Sequence, residues 1–135
     1  MGLNAELLQS SLAVVAEREP QITRRFYEHL FERYPQVRPL FSKNAAHLQQ
    51  QMLQEAIVAV VEHVEDAAWL DTNLRAMGRK HVDYGVTEEM YDWVGECLLV
   101  TLAELADEAW TPEVAAAWTE AYGAIRGLML AGAAR

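Results

Sequence analysis

Nearly every segment of this chain repeats its apolar residues at three- and four-residue spacing, and nowhere do they alternate at period two. A sequence patterned this way can bury its apolar side chains only on helix stripes, so the expected fold class is all-α. Asn4 suits the cap of a first helix carrying Leu7, Leu8, Leu12 and Val15, which ends at Glu19-Pro20. Pro20 suits the first turn of a second helix with the arc Ile22, Phe26, Tyr27, Leu30, Phe31 and Tyr34. Pro35 and Pro39 exclude a continuous α-helix and predict one tight turn ending at Leu40-Phe41. Beyond a loop from Ser42 to Ala46, a long helix is expected to about Glu65, with Leu53, Ile57, Val60 and Val64 on one stripe.

A short helix capped by Asp71 or Thr72 then carries Leu74, Met77 and His81, until Gly85-Val86 stops it. Thr87 opens the next helix, with the stripe Tyr91, Val94, Leu98, Leu102 and Leu105. Thr111-Pro112 opens the last, with Trp118, Tyr122, Ile125 and Met129 in phase. These two are expected to run antiparallel around a turn near Ala109-Trp110. A short helix following a long one leaves a gap between the pair rather than a filled bundle.

No repeat or linker interrupts this order, so residues 1–135 read as one domain. The net charge of −9 argues against nucleic-acid partners, which need clustered Lys and Arg, and against anionic lipid. No apolar run approaches the ~18 residues that span a bilayer, and the N-terminus lacks a signal-peptide pattern. The lone Cys97, in the apolar run Cys97-Leu98-Leu99-Val100, excludes an internal disulfide and reads as an inert buried thiol. Together these features predict a soluble, cytoplasmic protein with no membrane partner.

Polar residues on apolar stripes need an explanation. His81 shares a stripe with Leu74 and Met77 near a helix break, where an imidazole is either a satisfied core histidine or a metal ligand. Tyr27 lies on the arc of Phe26, Leu30 and Phe31, where its hydroxyl either meets a backbone carbonyl or serves a ligand. Gln49 stands one turn before Leu53, either as a helix-start amide near solvent or as an inward donor. His47 is out of phase with that stripe. Phe41, after two prolines, either plugs the core or packs flat against something.

As a set, these residues resemble a globin. Phe26-Tyr27 through Arg33-Tyr34-Pro35 and Val37-Arg38-Pro39-Leu40-Phe41 resembles the second-helix-to-corner segment of bacterial single-domain haemoglobins and of the globin domain of flavohaemoglobins. Gly78-Arg79-Lys80-His81 to Gly85-Val86, then Tyr91, Val94-Gly95 and Cys97-Leu98-Leu99, resembles their proximal segment. Ala117-Trp118 and Ala121-Tyr122-Gly123 match their last helix.

The resemblance spans essentially the whole chain and implies a 3-on-3 helical sandwich around haem b (iron protoporphyrin IX). By it, His81 is the metal ligand, Phe41 wedges the porphyrin, and Leu53 forms the apolar wall above the iron. Val86 and Tyr91 lie on the proximal side, and Lys80 is a candidate for the propionates. Tyr27 and Gln49 become the distal pair, a hydroxyl and an amide that can hydrogen-bond a gas ligand. One departure is notable: the glutamate that completes a proximal His-Tyr-Glu network in flavohaemoglobin-like proteins corresponds here to Ala133. Its loss implies a less electron-rich imidazole and argues against peroxidase-like chemistry.

The implied function is reversible binding of dioxygen and of other small gases, nitric oxide and carbon monoxide among them, for storage, transport or sensing. The alternative is a nitric oxide dioxygenase. The sequence ends at Arg135 with no flavin or nicotinamide segment, so turnover is expected to need an external reductase. A monomer or a homodimer is compatible with the sequence.

Overall fold

The computed structural model describes residues 4–18, 22–41, 46–83 and 85–133, without the side chains of residues 18, 40–41 and 46–52. Pro20, Ser42 and Tyr84 therefore lie outside the described residues, as do the side chains of Phe41, His47 and Gln49. The order is α1 (Ala5–Arg18), α2 (Ile22–Arg33), a 3-10 segment (Pro35–Phe41), α3 (Ala46–Glu62), α4 (Ala67–Asp83), α5 (Glu88–Ala106), a second 3-10 turn (Asp107–Ala109) and α6 (Pro112–Ala133). Among the described residues there is no strand, in keeping with the all-α expectation. No helix is long and apolar enough to cross a membrane.

Local chemistry sets the helix ends. Asn4 Oδ1 accepts the Leu7 N–H at 3.2 Å, and Thr111 Oγ1 accepts the Val114 N–H at 3.2 Å. The cap of α4 differs from the sequence expectation. Asp66, not Asp71 or Thr72, accepts the Trp69 N–H at 3.1 Å, so α4 begins more than a turn earlier. At 17 residues α4 equals α3 in length and is not short; α6 is longest at 22. Asp71 instead pairs with Arg75 at 2.9 Å on the surface of the helix.

Helix contacts sort the elements into two layers of three. One layer holds α1, α3 and α4, the other α2, α5 and α6, with α4 lying on α6, α1 on α5 and α6, and α3 on α2. Within its own layer α3 meets α1, whereas α3 and α4 have little contact with each other. The core divides accordingly. A larger cluster includes Leu8, Phe26, Leu30, Leu102 and Trp118, and a smaller one is built from Val60, Leu70, Leu74, Tyr91 and Met129. Each fully buried leucine contributes about 1.5–3 kcal/mol.

One polar tie crosses the layers and a second joins two helices of the same layer. The buried Trp118 indole N–H donates to Ser11 Oγ at 2.8 Å, and Ser11 Oγ donates in turn to the Leu7 carbonyl at 2.6 Å. On the surface, Arg25 grips Glu104 through Nε at 2.7 Å and a second guanidinium nitrogen at 2.8 Å, fastening α2 to α5. Cys97 is fully buried, and burial pushes its thiol up to about 11, as expected for an unreactive core cysteine.

Candidate functional site

The structure brings His81 of α4 together with Tyr91 of α5, while Tyr27 of α2 and Leu53 of α3 pack against the larger core. His81 occupies the last turn of α4 and is half-buried there. Its Nδ1 lies 2.7 Å from the carbonyl oxygen of Met77, one turn earlier. A carbonyl can only accept, so Nδ1 carries the proton and the ring's lone pair sits on Nε2. Burial holds the imidazole below its ordinary value against the opposing pull of the Met77 carbonyl, which keeps it neutral at pH 7. A neutral imidazole with an oriented lone pair is the form that binds a metal.

The helix ends immediately behind this residue in a Schellman arrangement. The Val86 N–H donates to the His81 carbonyl at 3.0 Å, and the Gly85 N–H donates to the Val82 carbonyl at 3.0 Å. Gly85 adopts φ 87°, which a residue with a Cβ adopts only at a cost. His81 is thus tied at its ring to the preceding turn and at its backbone to the turn that follows.

Tyr91, near the start of α5, faces the same side. Its ring centroid is 6.4 Å from that of His81, with the planes tilted by 32°. The hydroxyl oxygen is buried without a hydrogen-bond partner in the structure described, and burial pushes its pKa upward. Around it are Val60, Leu70, Leu74 and Met129, with Met77 and Val86 packed against the same cluster. An unpaired buried hydroxyl costs roughly 1–3 kcal/mol, so the Tyr91 hydroxyl is an unmet donor and acceptor within an apolar cluster. Ala133, the position where the sequence resemblance leads one to expect a carboxylate, is the last residue of α6 and carries no side-chain acceptor. The Tyr122 hydroxyl donates to the Tyr91 backbone carbonyl, fixing the start of α5 against α6.

Two of the distal candidates belong to the other cluster. Tyr27 and Leu53 both pack against the larger core. Tyr27 is wedged edge-on to Phe26 at 5.1 Å and stacked on Phe31 at 5.7 Å. Its hydroxyl is pushed up to about 12 by burial, so at neutral pH it remains a hydrogen-bond donor. Gln49 lies on α3 one turn before Leu53, and Phe41 ends the first 3-10 segment. Lys80 is exposed on α4 beside His81.

Sequence reasoning missed Met77 as the acceptor that sets the tautomer of His81. The signal was present, because Met77 precedes His81 by one turn on one stripe. It also missed the glycine contacts that hold α4, which join residues remote in the chain. Three tryptophans pack against their surroundings: Trp69 stacks on His63 at 3.9 Å, Trp93 on Tyr34 at 4.8 Å, and Trp118 is buried.

Residues 24–129 match the Globin family model. The chain is 36% identical over 119 residues to a flavohemoprotein of Rhodopirellula baltica, which covers 87% of this chain and 29% of that protein. Three-tenths or so of the length is what the chain spans in the curated relatives it matches. Among solved structures, a bacterial globin from Campylobacter jejuni superposes with a TM-score of 0.82 at 25% identity, covering 96% of this chain and 94% of that one. An engineered carbene transferase from Rhodothermus marinus, bearing the name of a nitric oxide dioxygenase, gives 0.83 at 28% identity, covering 96% and 90%.

Proposed function

The chain belongs to the globin family, and we propose that it is a haem protein that reversibly binds dioxygen, with His81 as the protein's ligand to iron. The observation that carries this reading is the state of His81: a neutral imidazole whose Nδ1 proton is committed to the Met77 carbonyl, so that Nε2 is the donor atom. Haem b suits this donor set. Among the described residues no group of three or more His, Cys, Asp or Glu side chains could cage a metal alone, whereas a porphyrin brings four ligands of its own. The buried, unpartnered Tyr91 hydroxyl and the apolar residues around it fit the proximal side of such a group.

Bound haem supplies an iron at which dioxygen, nitric oxide or carbon monoxide is taken up. The chain's own residues do the rest. Met77 fixes the tautomer and plane of His81, and the Val86 bond to its carbonyl fixes its height on α4. Leu53 and the cluster behind it exclude water. Tyr27 would donate a hydrogen bond to the gas, with Gln49 as the second donor, and Phe41 would brace the porphyrin. Lys80, exposed on α4, would meet a propionate. Ferric, ferrous and carbonyl absorption spectra of the haem-loaded chain test this reading, and a chain that takes up no haem would overturn it.

A second reading, with which the Tyr27 donor is equally compatible, is favoured by the name its Rhodothermus marinus neighbour carries. In it the chain is a nitric oxide dioxygenase working with an external reductase. Steady-state consumption of nitric oxide with a cellular reductase separates the two; a single turnover does not.

A further inference from the structure

Helix α4 is anchored from one side. Its extensive contacts are with α6, and it touches α3 and α5 only sparsely. Two glycines make that contact unusually close. A Cβ placed on Gly78 of α4 would stand 1.9 Å from the carbonyl oxygen of Met129 on α6. One placed on Gly132 of α6 would stand 2.0 Å from the carbonyl oxygen of Arg75 on α4. The contacts are reciprocal: each glycine meets the backbone of the residue three before the other, as two antiparallel helices crossing at close range require. Both opposing atoms are backbone, so no side chain can swing aside to admit a methyl group. Ordinary contact begins at 3.4 Å, and a methyl group at either place must drive the helices apart by about 1.5 Å.

His81 lies one turn beyond Gly78 on the same helix. Its ring is tied to Met77 and its carbonyl to Val86, both local partners. Those bonds orient the side chain relative to α4, and the most extensive contact that locates α4 is the one with α6. We propose that Gly78 and Gly132 are positioning residues for the iron ligand, forming a backbone-on-backbone seat that sets how deeply His81 reaches toward the haem. The proposal rests on His81 being that ligand. Gly132 touches neither haem nor His81 in this scheme; it acts through the placement of α4.

The test is Gly132→Ala in the haem-loaded chain, with Gly127→Ala as the comparison. Gly127 lies on the same helix with nothing within 4 Å of a Cβ, so its substitution changes helix propensity and not the seat. Two readouts apply: the iron–histidine stretching band of the ferrous protein by resonance Raman, and haem transfer to a haem-free myoglobin acceptor. Gly132→Ala should shift and broaden the band and speed haem loss by about tenfold to a hundredfold, with helical circular dichroism retained. Gly127→Ala should match the parent in both.

An unchanged band and transfer rate in Gly132→Ala would overturn the proposal alone. So would wholesale loss of helicity, because the glycines would then hold up the fold rather than place α4. A parent chain with no iron–histidine band would sink the ligand assignment, and this proposal with it.

Discussion

The His81 Nδ1 and the Met77 carbonyl oxygen lie 2.7 Å apart, and this one bond decides which ring nitrogen is left to act. Burial lowers the pKa of the imidazole from its ordinary 6.5. As pH falls, the unfolded chain takes up this proton before the folded one, so folding stability from neutral His81 is complete above about 6.5 and is lost below it. Urea unfolding of the haem-free chain between about pH 8 and 5 should show that decline, and His81→Leu should flatten it. Glu96, held low by Tyr34 and Arg33, and Glu104, held low by Arg25, act in a separate window below the ordinary carboxylate value of 4.5.

Tyr27 should govern how long dioxygen stays. Its buried hydroxyl remains protonated well above neutrality, so the donor persists across the physiological range. A hydrogen bond of about 1.5–3 kcal/mol to a polarised ligand corresponds to roughly tenfold to a hundredfold in dissociation. Stopped-flow dissociation from Tyr27→Phe should be faster by that factor, and carbon monoxide release, which depends less on donors, should change little. An unchanged dioxygen rate removes Tyr27 from the role.

The helix stripes were legible in the sequence because burial follows the 3.6-residue period, and caps such as Asn4 and Thr111 announce themselves locally. The start of α4 was not. Asp66, Asp71 and Thr72 are all competent caps by residue type, and packing of Leu70 into the core favours the earliest. His29, amid charged neighbours in sequence, has a side chain only 13% exposed because Glu104 of α5 comes to 3.5 Å from it. Periodicity cannot show which helix lands on which. The same limit hid the seat of Gly78 and Gly132, since a glycine on a stripe reads as a gap until its partner backbone is known. His81, Tyr27 and Leu53 were legible because polar and apolar residues share their stripes.

The Tyr91 hydroxyl should be dispensable for the haem-free fold. Its removal in Tyr91→Phe takes away a buried oxygen without a partner and keeps the ring in its cluster. Chemical denaturation should therefore find the variant equal to the parent or more stable by up to about 1 kcal/mol. A loss of stability would mean that the hydroxyl finds a partner in solution.

Ser11→Ala should do the opposite. It leaves the Trp118 indole N–H buried and unpaired, where Ser11 Oγ accepts it at 2.8 Å. The expected cost is about 1–3 kcal/mol, read from the urea midpoint, with the absorption spectrum of haem-loaded protein unchanged.

The central assignment is tested most directly by His81→Gly, loaded with haem and titrated with free imidazole. Removal of the side chain should weaken haem retention and displace the ferrous and carbonyl bands, and added imidazole should bring the bands back by occupying the space the ring has left. A His81→Gly chain that keeps its haem and its bands with no imidazole present would show that another residue holds the iron.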